Sequence, residues 1–261
     1  MLSKLPTVII SALFIVAVLI LALDANTQLF LLINQLGSAF ADEMWVMITT
    51  FGHRLFALLL VLLLFWRHID LLRAALIAAL MSLLIIASMK SLIALPRPYD
   101  VLDPSSFYFI GEKITTYAFP SGHTATAFAI MGAVGLYFKN NSLLFFAFFF
   151  ASLIGLSRIM LGVHWPIDVL VGAALGLASA WLSVAMINAK LIRDAIIWDY
   201  VTYIIYLLIA GYLFWQGSVY SDAFWLVKIV AAIGILVAIS SVIWLYKGGN
   251  KDPISVTGWL S

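Results

Sequence analysis

The sequence predicts an all-α protein: a polytopic transmembrane helical bundle. Three observations predict it. Hydrophobic residues make up 65% of the 261 residues and charged residues only 10%, against roughly 45–50% and about 25% in soluble domains. Mean hydropathy is +1.13, more apolar surface than a soluble core of this size could bury, so lipid has to act as the solvent. The apolar residues also fall in runs of about 20, the length at which a helix crosses a bilayer. This composition excludes a disordered chain, and a net charge of +2 offers no field for a polyanion, so no nucleic-acid partner is expected. The chain has no cysteine, which excludes disulfides, thiolate catalysis and cysteine-ligated zinc.

In chain order, the expected spans lie near 6–23, 43–66, 72–94, 121–138, 142–160, 166–187, 199–216 and 223–246, eight in all. The first follows Lys4. Its run from Val8 to Leu23 is long for a signal peptide and no A-x-A-like cleavage site follows, so it is expected to be a retained anchor. Residues 25–40 are apolar but interrupted by Asn26, Gln28, Asn34 and Gln35; they fit an interfacial amphipathic helix or a connecting loop. The span at 43–66 contains His53 and Arg54, and the one at 142–160 is short and ends on a charged motif. Gly172 and Gly176 form a small-xxx-small pair, read as a helix-packing feature. The longest segment outside the spans is about 97–120. The expected organisation is a transmembrane core over 1–190, including the interfacial helix at about 25–40. A C-terminal two-helix transmembrane extension with a short cytoplasmic tail follows over 191–261.

Orientation follows from the basic residues. With a cytoplasmic N-terminus, Lys4, Arg67, Arg73, Lys139, Lys190, Arg193, Lys247 and Lys251 all fall on the cytoplasmic side, eight of the fourteen Lys and Arg. Both termini are then cytoplasmic, as an even span count requires.

Charge at membrane depth is costly and tends to be functional. Here it forms three clusters. Lys90-x6-Arg97-Pro98 closes the third span; seven residues are two helical turns, so both cations are expected on one face, with Pro96 and Pro98 ending the helix. Pro120-Ser121-Gly122-His123 opens the fourth span, where free backbone N–H groups and the positive helix end suit an anion. Gly122 lets the anion approach, Ser121 can cap the helix or donate to the anion, and His123 can carry a proton near neutral pH. Ser157-Arg158-x5-His164-x3-Asp168 bridges the fifth and sixth spans. His164 and Asp168 are i and i+4, so one helix face is expected to pair imidazole with carboxylate, and Arg158 offers a planar fork for phosphate oxygens.

All three clusters fall at the outer ends of spans three to six. Two Arg, one Lys, a helix N-terminus and two His can therefore converge in one outward pocket that fits a phosphate. No metal and no cofactor is expected, because three cations already meet the phosphate and two His with one Asp make a poor metal site. The residues alone leave open which His is the nucleophile; His164 is favoured as the one with a carboxylate at helical spacing.

These three segments, intact and in order, resemble the signature of the PAP2 (type 2 phosphatidic acid phosphatase) superfamily over about 24–187. The resemblance implies a six-helix core, so that spans seven and eight are an addition. It implies that His164 attacks phosphorus to form a phosphohistidine, that Asp168 orients His164, and that His123 protonates the leaving oxygen and then activates water. Lys90, Arg97, Ser121, Gly122 and Arg158 would hold the phosphate oxygens. Arg54, in the outer third of the second span, either points into the pocket as a candidate substrate contact or pairs with a carboxylate. His53 is expected to pack in the core, and Lys228 to snorkel outward or meet a head group.

An outward pocket implies a lipid phosphate or diphosphate as the partner, within the surrounding membrane lipids and with no protein partner implied. Undecaprenyl diphosphate at the periplasmic face of a bacterial inner membrane is the first choice. A lipid A or phosphatidylglycerol phosphate phosphatase is an alternative, as is a phosphotransferase that passes phosphate to an acceptor such as lipid A. A binder or transporter without catalysis would need the cations but not the His164–Asp168 pair or His123.

Overall fold

The computed structural model describes residues 4–113, 115–191, 195–218 and 220–249, and among them every regular element is helical. Arg193, Lys251 and the expected tail beyond 249 lie outside the described residues. Eleven α-helices follow in order: α1 (Leu5–Ala22), α2 (Asn26–Gly37), α3 (Asp42–Thr50), α4 (Arg54–Phe65), α5 (Ile69–Ile93), α6 (Pro98–Val101), α7 (Gly122–Phe138), α8 (Asn141–Met160), α9 (Pro166–Asn188), α10 (Ile196–Gln216) and α11 (Phe224–Tyr246).

Six helical segments are long and apolar enough to cross a membrane: α1, α5 with its continuation to Val101, α8, α9, α10 and α11 with the turn before it. Two of the expected eight spans depart from a long straight helix. Residues 43–66 form a bent pair rather than one straight helix: α3 and α4 diverge by 68°. The break falls at Gly52, where a Cβ would lie 2.6 Å from Ile154 Cγ2 and 3.1 Å from His123 Cβ. Only glycine lets the chain pass that close to α7 and α8. The remaining α4, 12 residues, is about 18 Å long at 1.5 Å per residue. The segment at 121–138 forms α7, whose 17 residues lie at the short end of what crosses hydrocarbon.

Short as it is, α7 is the axis of the fold. It packs against α4, α5, α8 and α9, while α1 covers α9. Its small residues make this possible: Ala129 and Ala133 meet Ala74 and Ala78 of α5 and Ala180 of α9. Gly172 and Gly176 have the expected packing role. A Cβ at Gly172 would lie 2.7 Å from Ser121 O, and one at Gly176 would strike Ala125 O. The two glycines thus seat the first turn of α7 directly on α9.

Residues 25–40 do form a helix, α2, laid against α8 and α9. The polar residues that interrupt its apolar pattern fasten it. Asn34 is fully buried; its Nδ2 donates to Tyr108 O, Ile159 O and Met160 O at 2.9–3.1 Å, and its Oδ1 accepts from Tyr108 N at 2.7 Å.

The C-terminal pair packs on α4 and α5. Leu59 and Leu62 of α4 join Tyr203 and Tyr206 of α10 and Val227 and Ala231 of α11 in one core cluster. Tyr203 donates to Trp66 O at 2.6 Å and Tyr206 to Leu72 O at 3.2 Å. Arg73, at the start of α5, forms a buried ion pair with Asp199 of α10 and a second with Asp70 at 3.2 Å. Lys228 reaches back one turn, its Nζ 4.7 Å from the Phe224 ring centroid, as a snorkelling side chain does.

Candidate active site

The start of α9 sets the catalytic geometry. Pro166 fixes the first helical residue, with Trp165 as N-cap and Asp168 at the third position. Asp168 Oδ2 accepts from Trp165 N at 2.9 Å and faces His164 Nδ1 at 3.1 Å. The expected pair therefore forms, but not on a helix face: His164 precedes the helix, and the helix start turns the carboxylate back onto it. A carboxylate only accepts, so Nδ1 carries the hydrogen and Nε2 the lone pair. Burial, and then Arg97, Arg158 and Lys90 nearby, hold the His164 imidazole well below its ordinary pKa. The ring is neutral at physiological pH, the state a nitrogen nucleophile needs.

The cations arrive from separate elements. α5 ends at Ile93, with Ala94 in the left-handed conformation (φ 49°) donating to Lys90 O. Arg97 thus follows the helix in extended backbone (φ −81°, ψ 162°), and the expected shared helical face does not exist. Both side chains meet on the loop before α7 instead. Lys90 Nζ donates to Tyr117 O, and to Ala118 O at 3.0 Å. Arg97 donates to Thr116 O at 2.7 Å, to Tyr117 O at 3.3 Å and to Val163 O at 2.8 Å. Its Nη1 lies 3.4 Å from His164 Nε2. Arg158, 1% exposed, donates from Nη1 to Thr49 Oγ1 at 2.5 Å, and its buried Nε has no partner. Arg158 lies within electrostatic range of Lys90, Arg97, His123 and His164.

The start of α7 supplies the other wall. Ser121 N donates to Asp168 O at 2.9 Å, which ties this helix end to that of α9. The Ser121 hydroxyl does not cap the helix; it accepts from Thr124 Oγ1 at 2.9 Å and keeps its own hydrogen to donate. A Cβ at Gly122 would meet only Ile86 Cγ2, at 3.9 Å, so open space faces that backbone. His123, half-buried, packs on Gly52.

The structure thus gathers Lys90, Arg97, Ser121, Gly122, His123, Arg158, His164 and Asp168 at one end of the bundle. Arg54 joins them: it is half-buried at the start of α4, no carboxylate among the described residues pairs with it, and it bears electrostatically on His123. His53, expected in the core, is exposed at the break, because the backbone turns there instead of continuing a span. Thr49 and Gly52 escaped the sequence reading. Their signal was a Thr-Thr-Phe-Gly-His-Arg run inside an apolar stretch, polar and flexible where a lipid-exposed helix is neither.

The model of the PAP2 superfamily matches residues 70–192, from α5 to just beyond α9. Bacitracin transport permease protein BcrC of Bacillus licheniformis is 31% identical over 60% of this chain and 78% of its own length. The chain belongs to the PAP2 superfamily. The undecaprenyl-diphosphatase of Sulfolobus acidocaldarius is 29% identical over 61% of this chain and 77% of its own. The crystal structure of Aquifex aeolicus LpxE superposes with a TM-score of 0.52 at 30% identity, covering 61% of this chain and 94% of that one. This PAP2 protein is an integral membrane lipid phosphate phosphatase. The family match stops short of α10 and α11.

Proposed function

We propose that this PAP2 phosphatase removes the terminal phosphate of undecaprenyl diphosphate at the outer face of the membrane, through a phosphohistidine on His164 and without a metal ion. The observation that carries this reading is the buried His164–Asp168 pair, 3.1 Å apart, with Nε2 beside Arg97. The choice of lipid is supported by the likeness to the undecaprenyl-diphosphatase of Sulfolobus acidocaldarius.

His164 Nε2 attacks phosphorus: a P–N bond forms, the bond to the bridging oxygen breaks, and His123, which takes up a proton as the anionic substrate offsets the surrounding cations, gives it to that oxygen. Asp168 accepts the Nδ1 hydrogen and balances the charge that appears on the ring. Lys90, Arg97, Arg158, the Ser121 hydroxyl and the Gly122 N–H take up the charge spread over the equatorial oxygens. His123, now neutral, takes a proton from water. The water oxygen attacks phosphorus, the P–N bond breaks, and inorganic phosphate leaves. The core over 1–190 carries this chemistry, and the extension braces α4 and α5. The outward orientation, with both termini cytoplasmic in a bacterial inner membrane, is supported by Lys4, Arg67, Lys139, Lys190 and Lys247, which fall between or beyond the helices on the side away from the site under one consistent threading.

Phosphate release by the detergent-purified protein in EDTA tests this, with undecaprenyl diphosphate, phosphatidylglycerol phosphate and lipid A offered separately and His164→Ala alongside. Release fastest from undecaprenyl diphosphate and absent in the variant is the expected result. Release that needs a metal, or that survives His164→Ala, overturns the mechanism. Preference for another lipid overturns the substrate, and phosphate moved onto lipid A makes the protein a phosphotransferase.

A further inference from the structure

We propose that Arg54 holds the second, non-reacting phosphate of a diphosphate substrate, and that the α3–α4 break thereby selects lipid diphosphates over lipid monophosphates. This rests on the assignment of His123 to the leaving group.

The break is built into the site. Gly52 packs on His123, and Thr49 accepts from Arg158. Arg54 is the next helical residue, the first of α4. Its state differs from that of Lys90 and Arg97 at this end. Lys90 and Arg97 are tied to loop carbonyls. The Arg54 Nε is buried with no hydrogen-bond partner, and none of the carboxylates among the described residues pairs with the guanidinium. A partly buried guanidinium without an anion is costly, and a bound anion relieves that cost.

Position identifies which anion. The break seats on His123: a Cβ at Gly52, two residues before Arg54, would lie 3.1 Å from His123 Cβ and 3.2 Å from His123 Cδ2. Arg54 also bears electrostatically on His123. In an in-line displacement the attacking and leaving atoms stand on opposite sides of phosphorus, so Arg54 lies on the leaving side. For a lipid monophosphate the leaving group is an alcohol, and Arg54 has nothing to hold. For a diphosphate it is a lipid monophosphate, whose negative charge grows as the bridging bond breaks, and a guanidinium fork fits its oxygens.

Farnesyl diphosphate and farnesyl phosphate share one tail and differ only in this phosphate, so they are the probes. In detergent micelles, Arg54→Gln should lower kcat/KM for the diphosphate about tenfold or more, the usual cost of one lost charge-assisted contact, and leave that for the monophosphate within about twofold. Arg54→Lys, which keeps charge but not the fork, should lose less. Equal losses on both substrates, or none on the diphosphate, overturn the proposal. A measurement on the wild type does not depend on how the variants fold: methylenediphosphonate should inhibit farnesyl phosphate hydrolysis about tenfold more strongly than inorganic phosphate. Equal inhibition also overturns it. Failure of the underlying mechanism is distinguishable, because it appears as farnesyl phosphate hydrolysis that survives His164→Ala.

Discussion

The two ends of the helical bundle both bury arginine, and they balance it in opposite ways. Away from the site, Arg73 is matched on the spot by Asp70 and Asp199. The charge is neutralised within the protein and clamps α10 to α5. At the site, Lys90, Arg97 and Arg158 converge on two carboxylates that are already engaged: Asp168 Oδ2 by His164 and Trp165, and Asp100 Oδ2 by the Arg97 backbone N–H. Buried positive charge with too little negative charge is unfavourable until an anion arrives. The excess at one end therefore marks binding and catalysis, and the neutralised arginine at the other marks a structural fastener.

This contrast can be broken most sharply at its centre. His164→Ala should lower kcat about a thousandfold or more, since loss of a nucleophile removes the reaction path; steady-state hydrolysis of farnesyl phosphate reads this out. Arg158→Ala should lower kcat/KM by about 10²–10³, as for a preorganised donor to the transition state, while thermal unfolding in detergent stays close to wild type. Arg73→Ala should do the reverse. It breaks the buried ion pair to Asp199 and should lower stability by up to about 3–5 kcal/mol, with kcat/KM of the folded fraction unchanged. If the two arginines give the same phenotype, the distinction between the ends fails.

Two smaller effects sharpen it. The lowered pKa of His164 keeps the ring neutral as pH falls through the range where an exposed imidazole protonates. The acid limb of kcat/KM should therefore lie below the ordinary value of 6.5, and a limb above it would place His164 in a less buried, less cationic setting. Thr49→Val removes the acceptor for Arg158. It should raise KM about fivefold, the effect of about 1 kcal/mol, and add nothing in an Arg158→Ala background.

The site was legible in the sequence by its residues and not by its geometry. Charge in an apolar chain stands out, so Lys90, Arg97, His123, Arg158, His164 and Asp168 could all be named. The helical spacings used to bring them together were not how they met. Ala94 ends α5 before Arg97, and Pro166 starts α9 after His164, so both pairs are joined across helix ends. Thr49 and Gly52 stayed hidden because 43–66 has the composition of a continuous span. The Thr-Thr-Phe-Gly-His-Arg run marks that stretch as polar but does not report the 68° bend where it packs on α7 and α8. Arg54 was visible, but whether it met a carboxylate or the site depended on that bend.

By itself the sequence determined the solvent, the helical class and the chemical inventory. Transfer of apolar side chains from water and the expense of charge in lipid are set residue by residue, whatever the fold. Only the tertiary structure decided which of the buried charges are paired. Arg73, Arg97 and Arg158 are the same residue type at similar depth, and pairing depends on distances between elements far apart in the chain. Asp199 stands 126 residues from Arg73 and Thr49 stands 109 from Arg158, and only the packing of helices against α7 and α4 brings those groups into contact.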